Sequence, residues 1–152
     1  ERHMDILVID GQGGGIGKNI VEKLKARMGN SINVIAVGTN SLATSAMIKG
    51  GADNIATGEN AIIYNAKRAD IIMGTVGIIS ANSMFGELTP DMAAAISQSE
   101  AAKILIPLKK CGLNIVGIKP QSLPELIDEA VDEAEKTVNF MAERHMGGHC
   151  KY

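Results

Sequence analysis

At 152 residues and 16.0 kDa the chain can bury one full hydrophobic core but has no room for a separate substrate domain of any size. A formal charge of −2 and a sequence pI near 5.9, with no extended basic run, offer no global field for polyanions, so neither nucleic acid nor anionic lipid is an expected partner. Two cysteines, Cys111 and Cys150, make no disulfide framework, and no apolar run approaches the roughly 18 residues of a membrane span, so a cytoplasmic, reduced protein off the membrane is expected.

Glu1-Arg2-His3 reads as a remnant ahead of a native Met4, and the apolar stretch beginning at Ile6 leads into charged helix rather than a signal-peptide cleavage site. Apolar and helix-period segments then alternate. Ile6–Ile9 precedes Lys18–Met28, Asn33–Val37 precedes Leu42–Lys49, and a short Asn54–Ala56 precedes Glu59–Arg68. Ile71–Met73, Pro90–Gln98, Lys103–Leu108, Ile115–Ile118 and Leu123–Ala142 follow. Thr89-Pro90 supplies an N-cap and an N1 proline, and Ser122 with Glu125 reads as a capping box. In the last helix Leu126, Ile127, Ala130, Val131, Ala134, Val138 and Met141 share one face, which should lie on the sheet or on a partner subunit. That face and a mean hydropathy of +0.09 suggest a homo-oligomer, in the form of a homodimer. Such alternation predicts an α/β protein: a three-layer Rossmann-like fold with a mostly parallel, doubly wound sheet. One nucleotide-binding domain is expected over 4–142, with 143–152 as a flexible tail. Glu-Arg-His-Met recurs at Glu143-Arg144-His145-Met146, too short for an internal repeat.

The most informative segment is Asp10-Gly11-Gln12-Gly13-Gly14-Gly15-Ile16-Gly17-Lys18, between the first strand and its helix. Glycines let backbone approach a ligand closely, and the free N–H groups of a helix start favour an anion, so a phosphate is expected here. Asp10 would repel a bare pyrophosphate unless loop N–H groups or a bound Mg²⁺ neutralised it; its plainer role is to fasten the loop. Lys18 opposes the helix dipole unless an anion is bound, or simply points into water.

The strict G-x-G-x-x-G spacing fails at Ile16, but Gly11, Gly15 and Gly17 fit G-x-x-x-G-x-G. This loop, with Asp70-Ile71-Ile72-Met73-Gly74-Thr75-Val76-Gly77-Ile78, resembles the coenzyme-binding half of short-chain dehydrogenases, which implies an NAD(P)-type ligand. Those enzymes need a Tyr-x-x-x-Lys pair. Here Tyr64 is followed by Lys67 and Arg68, in the wrong spacing and too early, so hydride transfer in that style is not expected. After the second strand, where an acid would hold the ribose of NAD and an arginine the phosphate of NADP, stand Thr39, Asn40 and Ser41. They can hydrogen-bond a ligand, and Asn40 or Ser41 can cap the following helix. A Walker loop misses at both ends, with Gln12 in place of the first glycine and Asn19 in place of the magnesium-binding hydroxyl. Tubulin-like GTPases resemble Gly13–Gly17 and Val37–Asn40 but carry a second glycine signature absent here, and a methyltransferase would want an acid after the second strand.

The blocks Leu7–Lys18, Ala36–Met47 and Gly51–Ala61 are similar to an uncharacterised bacterial family, a domain of unknown function (DUF3842), over about Met4 to Ala134. The resemblance implies a Rossmann-like fold and carries no catalytic residues.

Small polar residues gather after the later strands: Thr57, Glu59 and Asn60 after the third, Gly74, Thr75 and Gly77 at the fourth. In a doubly wound sheet these strand ends share one edge. Thr57 can instead N-cap the third helix, and Glu59 is the nearby acid able to act as base or ribose acceptor. The long connection Gly74–Gly86 is a further ligand contact, part of which can continue the strand. His145, His149 and Cys150 lack a fourth metal partner and a rigid frame, and Cys111 beside Lys109 and Lys110 has no partner histidine, so no metal site is expected. The expected ligand is a small-molecule nucleotide or dinucleotide, with an NAD(P)-type ligand favoured and a tubulin-like or P-loop-like NTP binder as the alternative, used by a redox or nucleotide-using enzyme or held without turnover by a sensing or scaffold module.

Overall fold

The computed structural model describes residues 2–109 and 112–146. Five strands form one all-parallel sheet: β1 (Met4–Asp10), β2 (Ile32–Gly38), β3 (Asn54–Thr57), β4 (Ile71–Thr75) and β5 (Ala102–Ile106). Their order is β3-β2-β1-β4-β5, so the chain moves outward one way from β1 and then returns to its other side. Right-handed crossovers therefore send the helices of the two halves to opposite faces.

On one face α1 (Gly15–Met28), α2 (Ser41–Lys49) and α5 (Leu123–Met146) bury Ile20, Leu24, Met47, Ile127 and Val131 against Ile6, Val8, Val34 and Met73. On the other, α3 (Glu59–Ala66) and α4 (Pro90–Gln98) bury Ile62, Met92 and Ile96 against Leu7, Ile9 and Ile72. Adjacent residues of β1 thus enter opposite cores, which is why the strand reads as a continuous apolar run. The arrangement is the expected three-layer α/β fold.

The apolar face of α5 is used inside the subunit. Ile127, Ala130, Val131 and Ala134 are buried in the first core, and Asp128 and Asp132 pair with Lys23 and Arg27 of α1. A homo-oligomer would need another surface. The helix runs to Met146 rather than ending at Ala142, so the segment from Glu143 begins helical. Ser122 Oγ accepts the Glu125 N–H at 3.3 Å, half of the expected capping box, whereas the Thr89 cap of α4 is complete.

Ile115–Ile118 forms no strand. Gly117 has φ +90° and Val116 is 97% exposed, a turn across the surface beyond the edge strand β5. The expectations for Lys110, Cys111, His149 and Cys150, and for the His145 side chain, fall outside the described residues. No described helix is long and apolar enough to cross a membrane.

Candidate functional site

The carboxyl ends of β1 and β4 diverge to opposite faces, and the crevice at such a switch point is where doubly wound sheets bind ligands. Here it is a cavity of about 980 Å³. Asp10, Gly11, Gln12, Gly13, Gly14, Gly15 and Ile16 line it from the β1 side with Asn19; Thr75, Asn82, Ser83, Met84 and Phe85 line it from the β4 side; Leu108 and Leu123 close its far wall. A second cleft, of about 730 Å³, involves Asp70 and Ala101 at the amino ends of β4 and β5, on the opposite edge of the sheet.

The helix start differs from the sequence reading for a definite reason. The α1 helix begins at Gly15, not Lys18, so three residues of the glycine run form its first turn. Asp10 makes this possible: its Oδ2 accepts the Gly17 N–H at 2.6 Å and its Oδ1 the Gly11 N–H at 2.8 Å. The carboxylate thus caps the helix from the end of β1. Burial pushes its pKa up, the two N–H groups pull it down, and the nearby Glu87 charge adds to the upward shift. Gln12, at φ +50°, carries the chain round a turn closed by Gly14 N–H to Gly11 O at 3.0 Å.

The glycines have separate reasons. Gly14 has φ +71°, and a Cβ there would lie 2.7 Å from Ala43 Cα. At Gly17 a Cβ would meet Met47 Sδ at 2.7 Å and Asp10 Cβ at 2.8 Å, so that residue seats α1 on α2 and β1. Gly13 and Gly15 meet nothing within 4 Å and face open space. The N–H groups of Gly13, Gly15 and Ile16 have no hydrogen-bond partner among the described residues. Thr75, buried at 7% exposure, lines the same cavity and its hydroxyl has no hydrogen-bond partner among the described residues.

Other expected site residues stand elsewhere. Lys18 reaches Glu22 at 3.8 Å, one turn along α1. Gly74 lets β4 approach β1, where a Cβ would lie 2.7 Å from Ile9 O, and Gly77 is buried in a 3₁₀ turn over 76–79 with its carbonyl accepting from Ser83 Oγ. Thr57 does not cap α3, whose N-cap is Gly58; its hydroxyl bonds that of Thr44 at 2.7 Å. Glu59 accepts from the Thr89 hydroxyl and so ties α3 to α4, while Asn60 is exposed on the first turn of α3. Ser41 opens α2, whose cap is Asn40, accepting from Ala43 N–H at 2.8 Å. Tyr64 lies on α3 with Arg68 stacked 3.7 Å above its ring, away from the cavity.

One residue the sequence reading missed organises this edge. Glu87 Oε1 accepts from Gln12 N–H at 3.0 Å, Thr39 Oγ1 at 2.8 Å and Asn40 Nδ2 at 2.5 Å. The Gln12 N–H, then the Asn40 and Thr39 side chains, hold its carboxyl below the usual range against some desolvation. An acid thus reaches the end of β2, delivered by the connection after β4. The only hint in the sequence was the absence of an acid after the second strand. The connection is pinned by Ser83 Oγ on Gly77 O at 2.6 Å and Asn82 N–H on Leu88 O at 2.8 Å, and Asn82, Met84 and Phe85 take φ of +65°, +57° and +55°. Phe85 is fully exposed at the cavity mouth.

A family model described as a domain of unknown function (DUF3842) matches residues 5–139. The chain belongs to this family. No curated protein matches it. Two solved structures are similar to it: a universal stress protein in complex with cAMP, and a dodecameric FMN-dependent UbiX-like decarboxylase from Escherichia coli O157:H7. The first is 15% identical with a TM-score of 0.41, covering 70% of this chain and 98% of its own. The second is 12% identical with a TM-score of 0.45, covering 90% of this chain and 94% of its own.

Proposed function

We propose that this DUF3842 protein binds a small-molecule nucleotide, with a phosphate on the first turn of α1 and the remainder in the cavity between the β1 and β4 loops. The observation that carries this reading is the convergence of unpaired donors on one space: the N–H groups of Gly13, Gly15 and Ile16 and the hydroxyl of buried Thr75. A phosphate is an acceptor with several oxygens, and the positive end of a helix of 14 residues adds to the attraction. NAD(P) is one member of the expected ligand class.

Binding without turnover suits the chemistry of the walls. Among the described residues lining the cavity Asp10 alone is titratable, and both its oxygens are held by backbone N–H groups. General acid–base catalysis needs a group free to exchange a proton with substrate. The same engagement makes Asp10 a poor ligand for Mg²⁺, and no group of three metal-capable acidic, histidine or cysteine side chains occurs among the described residues. The reading is therefore a sensing or scaffold module whose binding does not require Mg²⁺.

A thermal-shift panel of AMP, FMN, ATP, GTP, NAD(H), NADP(H) and FAD, with and without Mg²⁺, tests it. A true ligand at 100 times its Kd stabilises the fold by about 2.7 kcal/mol. Gly15→Leu should abolish that shift while leaving the fold intact, because its side chain enters open space. No shift with any nucleotide, or an undiminished shift in Gly15→Leu, contradicts the proposal.

A further inference from the structure

We infer that the site takes a mononucleotide and that its second half, over β2, is closed from within by Glu87. This inference rests on the nucleotide reading above and narrows its ligand class.

A dinucleotide on a doubly wound sheet straddles β1, with one nucleoside on the β2 side and the other on the β4 side. The two sides here are unlike. On the β4 side lies the cavity of about 980 Å³, with the unpaired Thr75 hydroxyl in its wall. No residue of β2, of α2 or of the turn joining them lines it. On the β2 side the Thr39 and Asn40 groups that would meet a ribose are already engaged. Thr39 N–H bonds Asp10 O at 2.9 Å, while the Thr39 hydroxyl, the Asn40 amide and the Gln12 N–H all donate to one oxygen of Glu87. Asn40 Nδ2 also reaches Gln12 O at 3.1 Å, which closes the ring between the β1 and β2 loops.

Packing reinforces the closure. A Cβ on Gly11 would lie 2.5 Å from Met84 Sδ and 2.7 Å from Thr39 Oγ1, so no space remains between the glycine turn and the loop above it. The carboxylate that a ribose diol would need is present, but one of its oxygens already carries three hydrogen bonds from the protein. A second nucleoside that took the Thr39 and Asn40 groups as its partners would have to break their hydrogen bonds to Glu87 and displace Met84. A mononucleotide on Gly13–Ile16 leaves them all in place.

Calorimetric titration of the full chain with two matched pairs, AMP against NAD and FMN against FAD, tests the closure. At least one mononucleotide should bind about tenfold or more tighter than the dinucleotide that contains it. Glu87→Ala, and separately Met84→Ala should the first variant not fold, should narrow that ratio by strengthening dinucleotide binding relative to mononucleotide binding. Both dinucleotides binding wild type as tightly as their mononucleotide halves overturns the closure while leaving the nucleotide reading standing. Weaker dinucleotide binding in Glu87→Ala also overturns it, since Glu87 would then be a ribose ligand. Binding by none of the four overturns both.

Discussion

Asp10 shows how one side chain sets the shape of the site. Its carboxylate replaces water at two backbone N–H groups and lets a helix begin within a run of poor helix formers. Asp10→Ala would leave the Gly11 and Gly17 donors unpaired at a cost of about 1–3 kcal/mol each, offset in part by relief from burying a charge. A net loss of at least about 1 kcal/mol in urea unfolding at pH 7 is expected; unchanged stability would show that the cap does not hold the turn. The two acids at this edge respond to pH in opposite senses. The Asp10 pKa is raised in the fold, so the protonation-dependent part of its contribution is present below the unfolded value and is lost as pH rises through the folded one, and the capping of the two N–H groups is what remains at neutrality. The Glu87 pKa is lowered, so its contribution is present above the unfolded value and is lost as pH falls through the folded one. The stability gap between wild type and Glu87→Gln should therefore be widest near neutrality and shrink towards acid; a gap that is flat or widens in acid would remove Glu87 as the clasp.

At the scale of elements, the strands and the faces of the helices were legible because burial on both sides of a parallel sheet leaves continuous apolar runs, and α5 carries an unbroken apolar stripe. Ile115–Ile118 misled because three large apolar residues around Gly117 satisfy the same pattern as a short strand, whereas the segment pairs with no strand of the sheet. The start of α1 misled because propensity favoured Lys18, whereas the Asp10 cap, set by the end of a neighbouring strand, decided for Gly15. The α5 helix is held on the sheet by its buried face and to α1 by exposed ion pairs at Lys23 and Arg27. Such pairs contribute little in water, so the apolar contacts should dominate. Ile127→Ala, at a position 2% exposed, should cost about 2–5 kcal/mol in denaturant midpoint terms, and Asp132→Asn distinctly less. Equal losses would mean that charge rather than burial fastens the helix.

For the whole molecule, the doubly wound order brings the loops after β1 and β4 to one crevice although some 60 residues separate them in sequence, and that is why the site was only half legible. The glycine run announced itself by composition, and Thr75 by its place at a strand end. Glu87 did not, because its partners Gln12, Thr39 and Asn40 lie 75, 48 and 47 residues away, and no local pattern encodes that meeting. The same folding separates residues that sequence grouped together: Thr57 bonds Thr44 of α2, Glu59 bonds the Thr89 cap of α4, Asn60 is exposed on α3, and none of the three lines the cavity. At this edge the fold presents a helix-opening turn with unpaired N–H groups, the cavity beside it and a carboxylate that joins the β1 and β2 loops. The most direct measurement of this account is an amide ¹H–¹⁵N titration of the protein with AMP and with FMN. Saturable shifts should concentrate at the Gly13, Gly15, Ile16 and Thr75 amides, with Thr39, Asn40 and Thr57 nearly still. Shifts centred on β2 and α2, or no saturable shift with either nucleotide, would contradict it.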